Sequence, residues 1–221
     1  MTKITSVCFD LGGVANISGR GAAVQRGQSR WGEVFTSELL SRLVRPEAPD
    51  HDYWREFNNG VISADRFLAL SLNLAGLPSS LDDLRQARLC FEDWCGQPYR
   101  PVIGLAQSLQ EHGYRTAVLT NNNPIMYATP SAYLARIVDV AISSHEIGVS
   151  KPNSQAYHLL LERLDHPEPA SVLFIDDKLR NIVGAQEVGL QTFHFRSKEI
   201  PMDEAFQELM VYLSERDLPF S

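Results

Sequence analysis

Five polar residues stand where apolar segments of this chain give way to turns: Asp10 after residues 4–9, Thr120 after 115–119, Lys151 ahead of Pro152, and the pair Asp176-Asp177 after 171–175. A carboxylate such as Asp10 can attack phosphorus and split a hydrolysis into two easier steps through an aspartyl-phosphate. Thr120 and Asn121 can hydrogen-bond phosphoryl oxygens. Lys151 can neutralise both a nucleophile and a transferring phosphoryl group, whose transition state needs a cation. Two adjacent carboxylates at a buried strand end are costly unless a hard cation such as Mg²⁺ lies between them and another acid. Singly, each has an ordinary structural alternative: a turn cap, a routine Thr-Asn turn, a solvated lysine, a helix N-cap. Together they can build a phosphate and magnesium site. Gly12 withholds something, because many such sites carry a second acid there.

These residues meet only if the segments before them are neighbouring strands. Residues 4–9, 115–120, 138–143, 171–176 and 191–195 read as strands, separated by helical patterning over 101–112, after Thr120, and over 153–164 and 179–188. Strands alternating with helices imply an α/β fold, a Rossmann-like parallel sheet with helices on both faces. Ligands of such sheets gather outside the carboxyl ends of the strands, which places Asp10, Thr120 and Asp176 at one edge. Pro152 is expected at an early position of the helix that follows Lys151.

Between about residue 20 and residue 96 only helical patterning is visible: Trp31 through Leu43, a stretch opening at Ser63 and Asp65, and 81–94. This block reads as an inserted α-helical cap, residues 17–96, between core segments 1–16 and 97–221. The chain around Ile17 to Gly21, and Gly96-Gln97-Pro98 with Pro101, are the expected entrance and exit hinges.

Composition narrows the function. The 221 residues carry a formal net charge of -7 and no basic stripe, which argues against nucleic-acid binding by phosphate neutralisation. Only four lysines occur, Lys3, Lys151, Lys178 and Lys198, so a lysine required by chemistry has few candidates. Cys8, Cys90 and Cys95 are an odd number without metal-ligand spacing and fit reduced thiols in a cytoplasmic setting, with Cys8 in the strand core. No signal peptide precedes the first strand and no apolar run approaches a membrane span. The six histidines show no paired spacing for a transition metal. His51, Tyr53, Trp54 and Arg55 either touch a substrate or form a small core.

The ordered motifs Phe-Asp-Leu-Gly-Gly-Val, Val-Leu-Thr-Asn, Val-Ser-Lys-Pro and Phe-Ile-Asp-Asp, the last with Asn181 and the helix end from Ala185 to Gly189, resemble the haloacid dehalogenase superfamily over nearly the whole chain. Within the insert, Trp54-Arg-Glu-Phe-Asn-Asn-Gly60-Val-Ile-Ser63 is similar to the cap segment of the branch that holds α-D-glucose-1-phosphate phosphatase and the N-terminal phosphatase domain of soluble epoxide hydrolase. The resemblance implies that Asp10 is nucleophile and Mg²⁺ ligand, with the Gly12 carbonyl as second ligand. It further implies that Thr120 and Asn121 bind the phosphoryl group, that Lys151 stabilises nucleophile and intermediate, and that Asp177, assisted by Asp176, holds the metal.

Gly12 departs from the typical phosphatases of the superfamily, whose Asp at this position serves as acid for the leaving alcohol and base for water. Such proton transfer contributes about 10² to 10⁴ in rate. The sugar-phosphate branch resembles this chain in carrying Gly there. The expectation is a Mg²⁺-dependent phosphatase of small phosphorylated metabolites, slow or selective for leaving groups of low pKa. Two alternatives stand beside it: a metal-independent 2-haloacid dehalogenase, against which the Asp176-Asp177 pair argues, and a weak or inactive phosphate-binding regulator of the same fold. A phosphonate-cleaving member would need a cap lysine, and the insert has none.

Overall fold

The computed structural model describes residues 2–46, 48 and 51–218. The chain begins with β1 (Ser6–Phe9) and β2 (Asn16–Ile17), then runs through α1 (Arg20–Trp31), α2 (Ser37–Val44), α3 (Tyr53–Asn58), α4 (Ala64–Leu74) and α5 (Leu81–Cys95). It returns by β3 (Gln97–Pro98) to α6 (Arg100–Glu111), β4 (Arg115–Thr120), α7 (Pro124–Tyr127), β5 (Val140–Ser143), α8 (Ser144–Ile147) and α9 (Ser154–Arg163). The last elements are β6 (Val172–Asp176), α10 (Leu179–Glu187), β7 (Gln191–His194) and α11 (Met202–Ser214).

Five strands form one parallel sheet in the order β5-β4-β1-β6-β7, with β1 in the middle. All four residues of β1 are buried, as expected of a strand covered on both faces. Period-two alternation divides its side chains: Val7 and Phe9 point into a core shared with α6 and α11, while Cys8 points into one shared with α9 and α10. Cys8 is therefore strand core, and all three cysteines are buried free thiols.

The helices between β2 and β3 have a separate apolar centre around Phe35, Leu40, Phe57, Phe67 and Phe91, joined by Ile125 of α7. Phe57 stacks on Phe67 at 4.3 Å, and Phe91 meets Phe67 edge-on at 5.7 Å. Trp54 packs against Phe67 and Trp94, so the aromatic cluster around it is a small core.

Several local expectations change. The pattern from Trp31 to Leu43 is two helices: Gly32 takes a positive φ of 77° after α1, and Thr36 restarts the chain by accepting a hydrogen bond from the Leu39 N–H. Ser63 caps α4 as expected, accepting from the Arg66 N–H. Asn153 is the N-cap of α9, so Pro152 stands before the helix rather than in its first turn. The segments expected as hinges pair with each other as the antiparallel strands β2 and β3. Helix α11, beyond the last expected strand, completes one face of the sheet with Ala205, Leu209 and Leu213.

At that strand pair the backbones touch. Gly96 has φ of 71°, and a Cβ there would lie 1.7 Å from the Ile17 carbonyl oxygen. Since neither backbone can yield cheaply, Gly96→Ala is expected to cost about 3 kcal/mol, read as a lowered urea midpoint.

The helical block is also joined to the core by a buried polar seam. The Asn58 side-chain carbonyl accepts from Asn123 Nδ2 at 3.3 Å, and its main-chain carbonyl accepts from Ser144 Oγ at 2.5 Å. Ser144 Oγ in turn accepts from the Asn122 N–H at 3.0 Å, and Ser150 donates to the side chain of Asn59. The seam therefore ties the start of the Asn58-Asn59-Gly60 turn to the loops following β4 and α8.

Candidate active site

β4, β1 and β6 are adjacent, so the residues at their carboxyl ends share one edge. Asp10 immediately follows β1, and its N–H donates to the Ile175 carbonyl at 2.8 Å, which holds it beside β6. Thr120 and Asp176 are the last residues of β4 and β6. Lys151 arrives from the loop after α8. Asn121 grips that loop from both sides, donating from Nδ2 to the Lys151 carbonyl at 2.7 Å and accepting from its N–H at 2.8 Å. The side-chain amide of Asn121 is thus spent on positioning the lysine.

The Lys151 ammonium is buried and bridges two carboxylates, 3.0 Å from Asp10 Oδ1 and 2.7 Å from Asp176 Oδ2, while donating to the Leu119 carbonyl at 2.5 Å. Its three donors are all used. Burial disfavours its charge, yet the two carboxylates more than offset this and hold the ammonium protonated above its ordinary range. Burial also pushes the Asp10 carboxyl up, but Lys151, with Lys178 adding to it, holds it below the usual carboxylate range. Asp176 goes the other way, because burial beside the charge of Asp10 outweighs the pull of Lys151. Asn181 Nδ2 spans both Asp176 oxygens at 3.0 and 2.9 Å, and the Lys178 N–H donates to Oδ1 at 2.8 Å, so Asp176 is fully engaged by donors.

Asp177 is different. Its Oδ1 is buried without a hydrogen-bond partner among the described residues, while Oδ2 pairs with Lys198 Nζ at 2.7 Å. Gly13, with φ of 81°, makes room for this carboxylate, since a Cβ there would lie 2.7 Å from Oδ2. Asp10, Asp176 and Asp177 each place an oxygen within 4.8 Å of the others. An orphaned acceptor in an all-oxygen donor set, with one buried ammonium against three carboxylates, suits a small divalent cation. Thr120 is buried and its hydroxyl makes no hydrogen bond to any described residue. Gly12 is exposed, and a Cβ there would meet only Asp10 Oδ2, at 4.0 Å.

The sequence profile of the haloacid dehalogenase-like hydrolases matches residues 4–189. The chain belongs to this hydrolase family. Among its relatives, D-ribitol-5-phosphate phosphatase of Bacteroides thetaiotaomicron is 25% identical over 199 residues, covering 86% of this chain and 91% of that protein. Ribulose-1,5-bisphosphate 5-phosphatase of Halopiger xanaduensis is 29% identical over 220 residues, covering 88% and 86%. In fold, the chain is similar to a haloacid dehalogenase family enzyme of Bacteroides thetaiotaomicron solved with magnesium and inorganic phosphate, with a TM-score of 0.68 at 19% identity over 91% of this chain and 98% of that one.

As a haloacid dehalogenase-like hydrolase, the chain brings Asp10, Thr120, Lys151, Asp176 and Asp177 to one edge of its sheet. The turn through Gly12 and Gly13 borders the same place. Three further cations were not singled out from sequence: Lys178 follows the acidic pair directly, Lys198 lies after β7, and Arg45 ends α2. All three line one cavity of about 360 Å³ that opens beside Gly12 and Asp177. The scarcity of lysine was the available signal, since three of the four lysines gather here.

Proposed function

We propose that this hydrolase is a Mg²⁺-dependent phosphatase of small phosphomonoesters, with Asp10 as nucleophile. The observation that carries the reading is the contrast between Asp176, whose oxygens are all bonded, and Asp177, whose buried Oδ1 has no partner among the described residues beside a carboxylate already paired to Lys151. Asp10, the Gly12 carbonyl and Asp177 would hold the cation, with Asp176 fixing Lys151 rather than the metal. When bound, it supplies positive charge to phosphoryl oxygens. The names of the phosphatase relatives support the same reaction class.

In this reading Asp10 Oδ2 attacks phosphorus, and the bond from phosphorus to the leaving oxygen breaks with its electron pair going to that oxygen, which takes a proton from water. Oδ1, held by Lys151 at 3.0 Å, becomes the carbonyl oxygen of the acyl phosphate and keeps its hydrogen bond. Water then adds to phosphorus, losing a proton to solvent, which releases inorganic phosphate and restores the carboxylate. Thr120 and the main-chain amides after it orient the phosphoryl group. Gly12 offers no acid to the leaving oxygen, so turnover favours leaving groups of low pKa. Residues 17–96 act as a cap over the core segments 1–16 and 97–221, shielding the cavity from water.

Halide displacement from carbon needs no cation and leaves Asp177 Oδ1 without a role. The test is phosphate release across sugar phosphates, acyl phosphates and nucleotides, with Mg²⁺ and after chelation. Release is expected for small phosphomonoesters and falls about tenfold or more on chelation. Halide release from 2-haloacids without metal, in place of phosphate release, would overturn the reading.

A further inference from the structure

The cavity beside Asp177 carries more positive charge than one phosphoryl group needs. Lys178, Lys198 and Arg45 line it, in a chain whose formal net charge is -7. With Lys151 they make four cations against the three carboxylates of Asp10, Asp176 and Asp177. A divalent cation would leave three positive charges, one more than a phosphomonoester dianion neutralises.

The cations occupy separate places. Lys178 directly follows Asp177, its N–H donates to Asp176 Oδ1 at 2.8 Å, and it lines the cavity with Gly12 and Gly13, so it borders the acidic cluster. Arg45 projects from the helical block, its guanidinium 5.8 Å above the Trp54 ring, and pairs with no carboxylate among the described residues. Lys198 is 60% exposed, and its pairing with Asp177 uses one of three donors. The same cavity is lined by the apolar Ile17, Trp94, Met126 and Met202, beside the polar Asn16, Ser18 and Ser197.

We propose that Arg45 and Lys198 form a subsite for a second anionic group, so that the substrate is a phosphomonoester whose short carbon skeleton also bears a carboxylate or a second phosphate. The inference rests on the phosphatase reading for the scissile end alone. The apolar lining residues accommodate the skeleton, and the two cations meet the far anion from opposite sides, one from the helical block and one from the core. Arg45 suits a planar carboxylate or a phosphate through its fork of donors, while Lys198 acts as a mobile point charge. Neither residue touches the reacting phosphorus; they decide which substrates reach it.

Matched substrate pairs test this: glycerol 3-phosphate against 3-phosphoglycerate, and fructose 6-phosphate against fructose 1,6-bisphosphate. Initial phosphate release is measured for the full chain and for the double variant Arg45→Gln, Lys198→Gln, and calorimetric affinity for the same four compounds is measured with Asp10→Asn, which separates binding from turnover. The wild type is expected to favour the more anionic member of at least one pair by about tenfold in kcat/KM, and the variant to lose that ratio. Preference within the carboxylate pair alone, or the bisphosphate pair alone, assigns the second group. Release without any preference would overturn the subsite while leaving the phosphatase reading intact. Absence of release together with a tenfold binding preference would overturn the phosphatase reading and keep the subsite. A variant that lowers both members of a pair equally would show a structural role and overturn the proposal.

Discussion

Asp10→Asn is expected to abolish phosphate release, a loss on the order of 10⁴-fold or more, while the protein stays folded. The amide is nearly isosteric but too weak a nucleophile to form the acyl phosphate. Removing one member of a buried ion pair ordinarily costs about 3 to 5 kcal/mol, because the other charge is stranded. Here the loss is much smaller, since Lys151 retains Asp176 at 2.7 Å and the Leu119 carbonyl at 2.5 Å. The variant also relieves crowding among three carboxylates that lie within one cluster. Paired measurements decide the point: phosphate release at background, with a melting temperature near that of the wild type. Release that persists would remove Asp10 from the role of nucleophile, and a collapsed melting transition would make its role structural.

Gly12→Asp is expected to act in the opposite direction, raising phosphate release from an unactivated alkyl phosphate by about 10²-fold, at the low end of what a positioned proton donor supplies. The backbone permits the change. Gly12 is not among the glycines with positive φ, and its Cβ would meet nothing nearer than Asp10 Oδ2 at 4.0 Å. That neighbour helps, because a negative charge close by raises the pKa of the new carboxyl and favours the protonated form that a leaving alkoxide needs. p-Nitrophenyl phosphate, whose leaving group needs no proton, should change little. Rates plotted against leaving-group pKa would show a steep slope for the wild type and a shallower one for the variant. An equal gain on both kinds of substrate, or none on either, would mean that proton transfer is not what Gly12 lacks.

The edge where Asp10, Thr120 and Asp176 gather was legible because each closes an apolar run, and parallel strands present such ends together. Lys151 was legible through scarcity and through its neighbour Pro152. The division of labour within Asp176-Asp177 was not, since it depends on Asn181 reaching back from α10 and on Lys198 arriving from beyond β7. Neither spacing nor composition encodes those approaches. Arg45 escaped for a similar reason: it caps the end of an ordinary amphipathic helix, and only the tertiary fold brings it, over the Trp54 ring, to the cavity. The misread stretch from Trp31 to Leu43 has a local cause, because Gly32 and Thr36 interrupt a pattern whose apolar residues keep near-helical spacing across the break. Helix α11 shows the reverse case, a legible amphipathic stretch lying beyond the last motif that drew attention.

The polar seam between Asn58-Asn59 and the loops after β4 and α8 bears on how such a protein can diversify. Asn122 and Ser150, which take part in the seam, are each one residue from a residue of the site, Asn121 and Lys151. A helical block transplanted from a relative would bring its own version of this joint, and a mismatch there would shift the lysine that pairs with Asp10. New specificity is therefore reached more readily by point changes at Arg45, Trp94 or Lys198, which line the cavity without belonging to the joint, than by exchanging the block as a module.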